Sequence, residues 1–249
     1  MDLIAVLGLL AHPQHFDLPA RYTDLNDYVI AAPDQGDTDT CLFQASTGVM
    51  EILLNKSLGN HNPQVRGDTD ISELYTISAP SSNRSMSWFQ DAFLKFDSGE
   101  AFLQKDEPFE GWTDDGDIND YVWDMPDDYY TLPRIKLPKI DSVLLFSMGD
   151  GRYSRGVLDQ SYVDIVKQAL IKYQSPILVV GNDTDYWHVV VITGYDDTIQ
   201  GSCYELTSTS CHTMGAFYVR DSFGTRLEAR SYDWFVRRNN SAAVAKLAN

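Results

Sequence analysis

The chain has 249 residues, with 19 Lys and Arg against 36 Asp and Glu and a formal net charge of −17. That length suits one large domain or two small lobes around a sizeable core. The acidity argues against nucleic acid or an anionic membrane surface as partner, because both need clustered cations. The ordinary reading of such a charge is solubility and weak self-association. An acidic working pH or cationic substrates is the sharper one.

No apolar run reaches the length of a bilayer span, which predicts no membrane-spanning segment. Leu3–Ala11 is apolar and has the length of a signal-peptide core, but Asp2 is the only charge before it. Residues 1–17 are therefore read as an N-terminal segment: a trimmed signal, a pro-segment remnant, or an ordinary buried strand or helix. Thr38, Asp39 and Thr40 are good capping residues ahead of Cys41. From there Leu42, Ala45, Val49, Ile52 and Leu53 recur at helical spacing, joined by Met50. This predicts a buried helix from about Thr40 to Leu54 with a thiol at its mouth. Gly59-Asn-His-Asn-Pro63 breaks the chain, and His61 reads as a loop histidine.

Ser72–Tyr75 and Met86–Phe96 read as short helices. Residues 97–160 read as irregular, rich in Asp, Gly, Pro and aromatics. Asp115-Gly-Asp-Ile-Asn-Asp120 resembles a calcium loop only superficially. The sixth and twelfth positions, Asp120 and Pro126, are not the Gly and Glu such a loop needs, so a solvated acidic loop is expected. Ser161 is a plausible cap for an amphipathic helix over Tyr162–Tyr173. Pro176–Val180, Trp187–Tyr195, Ala216–Asp221 and Tyr232–Arg237 read as strands. The fold class is α+β, mainly helical in the first half and mainly β in the second, with the break somewhere in 97–145.

There are three cysteines. Cys203 and Cys211 flank a Ser/Thr-rich stretch. A bridge between them would contribute about 2.5 kcal/mol in the chain-entropy model and leave Cys41 unpaired. Such a bridge favours an oxidising compartment, and two unpaired cytosolic thiols are the alternative.

Cys41 at a helix start, His188 on a strand and Asp221 further on are the parts of a cysteine nucleophile system. A helix N-terminus and an imidazolium stabilise a thiolate. A histidine exchanges protons near neutral pH, as acyl transfer requires. An amide donor such as Gln35, held near the sulfur, would stabilise a tetrahedral oxyanion by a few kcal/mol. Singly, a helix-start Cys is usually a small buried hydrophobe and a strand His a satisfied core residue. Their joint order is what points to a thiol hydrolase.

The chain resembles the papain-like cysteine peptidases, the papain/cathepsin superfamily, as a divergent member. Asp34-Gln-Gly-Asp-Thr-Asp-Thr-Cys-Leu-Phe-Gln-Ala-Ser-Thr-Gly48 is similar to that family's Gln-Gly-x-x-x-x-Cys-Trp-x-Phe-x-x-x-x-Gly segment. Leu18-Pro-Ala-Arg-Tyr-Thr-Asp-Leu25 is similar to the start of a mature enzyme, and Asp70-Ile-Ser-Glu-Leu74 to its Leu-Ser-Glu-Gln helix. Trp187-His-Val-Val-Val-Ile-Thr-Gly-Tyr195 and Val219-Arg-Asp-Ser-Phe-Gly224 are similar to its His and Asn-Ser-Trp-Gly strands. The matches keep their order from about 18 to 238.

The resemblance implies a two-lobe fold over 18–249. A helical lobe would span about 25–110 and an antiparallel β-barrel-like lobe about 130–240, with the active-site cleft between them. It implies Cys41 as nucleophile, His188 as base and later acid, and Asp221 in the place of the usual imidazole-orienting Asn. Gln35 would be an oxyanion donor beside the Cys41 backbone N–H. Val189 would help line an apolar S2 pocket, Trp187 could narrow the leaving-group side, and Phe223 would shield the His-orienting residue in place of Trp.

The chain departs from the family pattern in several places. Thr38 replaces the family's Cys, Leu42 its Trp, and no Gly-Gly substrate segment is evident near 81–83 or 85–87. A carboxylate at 221 should favour the imidazolium more than an amide would, whereas Asp37 and Asp39 disfavour thiolate.

The function implied is peptide-bond hydrolysis through a covalent thioester, without metal or cofactor, by a monomeric enzyme acting on proteins or peptides. The expected setting is secreted, periplasmic or a lysosome-like lumen, with the cytoplasm left open. A papain-fold peptide-binding protein without turnover is one alternative. An exopeptidase or amide hydrolase, its cleft closed by 1–17 or 106–128, is another.

Overall fold

A computed structural model describes residues 17–36, 38, 40–78, 93, 96–109, 131–148, 158–183, 186–203 and 214–248. The expected Met86–Phe96 helix, nearly all of the acidic loop 106–128, Asp37, Asp39 and Cys211 lie wholly or largely outside these residues.

Helix α1 spans Cys41–Leu58. It starts where the apolar spacing predicts and runs one turn further, to Gly59, whose φ of 64° supplies the left-handed terminator that a side chain resists. Every residue from Gln44 to Asn55 is buried, the signature of a helix enclosed on all sides. Its two apolar faces serve two cores. Ala45, Val49, Ile52 and Leu53 pack with the large sheet. Met50 and Leu54 pack with Ile71, Leu74, Tyr75 and Phe102 in a smaller cluster. The N-terminus of α1, and so Cys41, therefore lies at the seam between two hydrophobic bodies.

Helix α2 is Glu73–Ser78, preceded by Ser72, whose hydroxyl accepts the Leu74 N–H at 3.2 Å. Helix α3, Gln160–Tyr173, is capped by Asp159, which accepts the Ser161 N–H. The expected cap Ser161 lies inside the helix instead. A carboxylate two residues earlier won the cap because it also suits the positive end of the helix dipole.

The short strands β2 (Glu100–Ala101) and β3 (Ile135–Lys136) pair with each other apart from the main run, and β1 (Arg21–Tyr22) is a short addition to it. The large antiparallel sheet is formed by β4 (Ile140–Ser147), β9 (Asn239–Leu247), β5 (Ile177–Asp183), β6 (Tyr186–Gln200), β7 (Met214–Arg220) and β8 (Glu228–Ser231), in that spatial order. β1 joins it through β6.

Tyr232–Arg237 is not a strand. Tyr232–Arg238 is helix α4, capped by Ser231, whose hydroxyl accepts the Trp234 N–H at 3.0 Å. The alternation Tyr232, Trp234, Val236 imitates a strand. The Ser cap, the Asp233–Arg237 pair one turn apart and the basic last turn specify a helix. β4 and β9 fall where irregular chain or nothing regular was expected. β9 is rich in alanine, a weak strand former, and is placed by burial between β4 and β5.

Arg220, at the end of β7, ties the sheet to α1. Its Nε donates to Ile30 O at 2.9 Å and its Nη1 to Gln44 O at 2.8 Å. Its Nη2 reaches Glu51 at 3.2 Å and Glu73 at 3.8 Å. The guanidinium crosses α1 at Gly48, where an added Cβ would stand 2.4 Å from Nη1 and 2.6 Å from Cζ. Gly48→Ala should therefore cost roughly 1–3 kcal/mol through overpacking, despite the better helix propensity of Ala. A lower urea midpoint at unchanged slope would show it.

Candidate active site

Three segments meet at the seam. The first turn of α1 presents Cys41, which is partly exposed and a free thiol. β6 presents His188, which is 6% exposed. The residue after β7 is Asp221, 2% exposed. Cys41 Sγ lies 4.0 Å from the carbonyl oxygen of Trp187, and the thiol is in hydrogen-bonding reach of the His188 ring. His188 Nε2 is 2.7 Å from Asp221 Oδ1. With Nε2 engaged by the carboxylate, Nδ1 is the ring nitrogen left to face the thiol. Sulfur, imidazole and carboxylate thus stand next to one another, the ring and the carboxylate joined by a short hydrogen bond.

Burial opposes a charged His188. The hydrogen bonds and negative charge of Asp221 and Cys41 outweigh it, and the pKa is raised to about 9. Burial likewise opposes a charged Asp221. The His188 hydrogen bond and charge, Arg230 and the Ser222 N–H overcome it and hold the carboxyl below its ordinary value. The imidazole is therefore an imidazolium at neutral pH, directed by an ionised carboxylate.

Gln35 is 6% exposed. Its Oε1 accepts from Ser222 Oγ at 2.6 Å, its backbone N–H donates to Ser222 O at 2.9 Å, and its Nε2 donates to Thr38 O at 2.8 Å. An amide nitrogen carries two hydrogens, and one is left for another acceptor. The side chain is clamped to the residue following Asp221, so the donor and the imidazole-orienting carboxylate are set by one short segment. Thr40 occupies the helix N-cap without a side-chain cap bond. The Thr38 hydroxyl instead turns to Gln35 O and Thr40 Oγ1.

The Phe223 ring stacks on His188 with centroids 5.5 Å apart and planes at 22°, covering one face of the imidazole. Trp187 is 36% exposed beside Cys41. Val189 is 1% exposed and packs within the sheet core, so it lies beneath the cleft surface. Leu42 packs against the same core. Residues 81–83 and 85–87 lie outside the described residues. Cys203 Sγ is 3.6 Å from Ser231 Oγ. Among the described residues no cluster of His, Cys, Asp and Glu could hold a metal ion.

Arg230, Arg220 and Ser222 escape sequence reasoning. Nothing in a single sequence separates a strand arginine that grips a buried carboxylate from one that faces water. The only available hint was Asp221 itself, a carboxylate whose burial would require a cation nearby.

No protein-family model matches the sequence, and no curated protein does. Solved structures do match in fold. Two structures of the Clostridium difficile cysteine protease Cwp84 superpose with TM-scores of 0.54 and 0.60 at 14% and 15% identity. They cover 92% and 94% of this chain, which spans 58% and 53% of theirs, a little over half. Bromelain from Ananas comosus superposes with a TM-score of 0.56 at 13% identity, over 93% of this chain and 100% of that one. The chain has the two-lobe α+β fold of the papain-like cysteine proteases.

Proposed function

We propose that the protein is a cysteine peptidase that hydrolyses peptide bonds through Cys41, His188 and Asp221. The observation that carries this reading is the hydrogen-bonded His188–Asp221 pair beside a partly exposed sulfur at the first turn of a buried helix. The nucleophile is the thiolate, a form that a neighbouring imidazolium and a helix N-terminus stabilise. The thiolate attacks the scissile carbonyl carbon. The oxyanion that forms takes hydrogen bonds from the Cys41 N–H and the Gln35 amide. Collapse expels the amine, which takes its proton from His188 and leaves a thioester on Cys41. His188, now neutral, removes a proton from water. The hydroxide displaces the thiolate, and the free acid departs.

Asp221 keeps the ring in the orientation and tautomer this exchange needs, and Phe223 excludes water from the His188–Asp221 pair. Trp187 borders the leaving-group side, and Val189 supports an apolar subsite from below. We take the substrates to be proteins or peptides and the setting to be extracellular or lumenal. That setting fits a fold shared with a surface-layer-associated protease and a digestive procathepsin. A Cys203–Cys211 bridge belongs to the same proposal.

An epoxysuccinyl inhibitor of cysteine peptidases is expected to add one equivalent at Cys41, read by mass spectrometry. A Cys41 that stays unmodified under reducing conditions would exclude the reading. Alkylation without reduction, followed by the same mass analysis, would report the bridge.

A further inference from the structure

We propose that Arg230 is a positioning residue for this site: its guanidinium holds the outer oxygen of Asp221, offsets its charge, and makes the site one that requires a carboxylate rather than an amide. The proposal rests on the peptidase reading for its consequence in catalysis, but not for its geometry.

The two oxygens of Asp221 have separate partners. Oδ1 faces His188 Nε2 at 2.7 Å and the Ser222 N–H at 2.6 Å. Oδ2 accepts from Arg230 Nη2. Arg230 is itself fixed. It is 2% exposed, its Nε donates to Glu228 Oε1 at 3.0 Å, and its Cζ stands 4.9 Å from the Trp234 ring. An asparagine at 221 would have to point its NH₂ either at the Arg230 N–H or at the His188 N–H. Both choices set donor against donor. It would also leave a buried cation with Glu228 as its remaining carboxylate partner, which is costly.

Among the described residues, the charged groups around His188 are Cys41 from α1, Asp221 after β7, Arg230 and Glu228 from β8, and Arg238 at the end of α4, which lines the same small cavity as His188 and Arg230. Within this set Asp221 raises the ring's proton affinity directly, and Arg230 reaches the ring through the carboxylate it holds.

The test is a charge cycle read from the His188 ring resonance by NMR titration, with no substrate present. Asp221→Asn removes the anion and leaves the cation, so the His188 titration should fall by roughly one unit or more. Arg230→Met removes the cation and leaves the anion, so it should rise by roughly one unit. The double variant removes both charges and lets the amide orient freely, so it should return to within about half a unit of wild type. Arg230→Lys, which keeps the charge, should leave the titration near wild type.

A folded Arg230→Met with an unmoved titration would overturn the proposal. So would a double variant that stays at the Asp221→Asn value. Should Arg230→Met fail to fold, the double variant decides. A folded double with near-native titration supports the role, and a double that also fails to fold rejects it. A wild-type protein that cleaves no peptide would end the peptidase reading and leave this cycle standing.

Discussion

Cys41→Ala should abolish peptide hydrolysis, and His188→Ala should lower kcat/KM by on the order of 10⁴-fold or more. The reason is that in the proposed mechanism the two residues act as one unit. Without the ring, the sulfur would lose both a neighbouring cation and the acid that protonates the leaving amine. Without the sulfur, the ring has nothing to activate. The double variant should therefore be little worse than either single one.

The same pair sets a pH limit. His188 titrates at about 9, above its ordinary 6.5. The imidazolium form, and the activity that needs it, should persist at neutral pH and decline as pH rises through about 9. Its contribution to stability has the same sign. The folded-state value is raised, so the stabilisation is complete below about 6.5 and disappears as pH climbs through about 9. Hydrolysis of a fluorogenic peptide series between pH 5 and 10.5 would check the first statement. An activity loss complete by pH 8 would contradict it.

Arg220→Met should destabilise the fold by roughly 3–5 kcal/mol at pH 8.5 and by clearly less at pH 6. Arg220 is 2% exposed and is the cation shared by Glu51 and Glu73, both 0% exposed. Burial holds the Glu51 carboxyl well above its ordinary value despite Arg220. Burial raises Glu73 to about 8, again against the pull of Arg220. These carboxyl groups are raised in the folded state, so they bind protons more tightly there than in the unfolded chain. The cluster is therefore most favourable at low pH and loses stability as pH rises from about 4.5 through about 8. Removing the arginine makes the ionised pair worse and the protonated pair tolerable. The lost donors to Ile30 O and Gln44 O should cost about 1 kcal/mol each at either pH. Urea unfolding at the two pH values would measure the difference. Equal losses at both would mean that the charges are not the cause.

Arg220 and Asp221 are neighbours with opposite errands. One side chain enters the helical side and grips α1 and α2. The next turns to His188. A single step of the chain after β7 therefore sets both the attachment of the two bodies and the orientation of the imidazole. That is why loosening Arg220 should also disturb the site it does not touch.

Much of this was legible before folding. Helical spacing from Leu42 onward, with Gln35 before it and His188 and Asp221 after it, marked the buried helix and the residues that meet at its mouth. Those signals are local periodicity and residue chemistry. The mistakes have equally physical causes. Tyr232–Arg238 alternates like a strand but carries a helix cap and an i,i+4 pair, so two local signals competed and the cap won. β9 was invisible because Ala242, Ala243 and Ala245 have no strand preference. They are buried at 0% exposure among larger neighbours that need small residues opposite them. Val189, expected to help line an apolar subsite, is turned by the pleat into the core beneath the cleft.

By itself, the sequence determined that a thiol would begin an enclosed helix, that a histidine would follow on a strand and that a carboxylate would follow at the end of another, because residue type and period depend only on neighbours along the chain. The tertiary structure alone decided that Asp221 would be held on its far side by Arg230, that Gln35 would be clamped by Ser222, and that Arg220 would lie across Gly48. The last two join residues more than 170 positions apart, and the first joins the segment after β7 to β8. A buried charge is tolerable only where the fold delivers its partner.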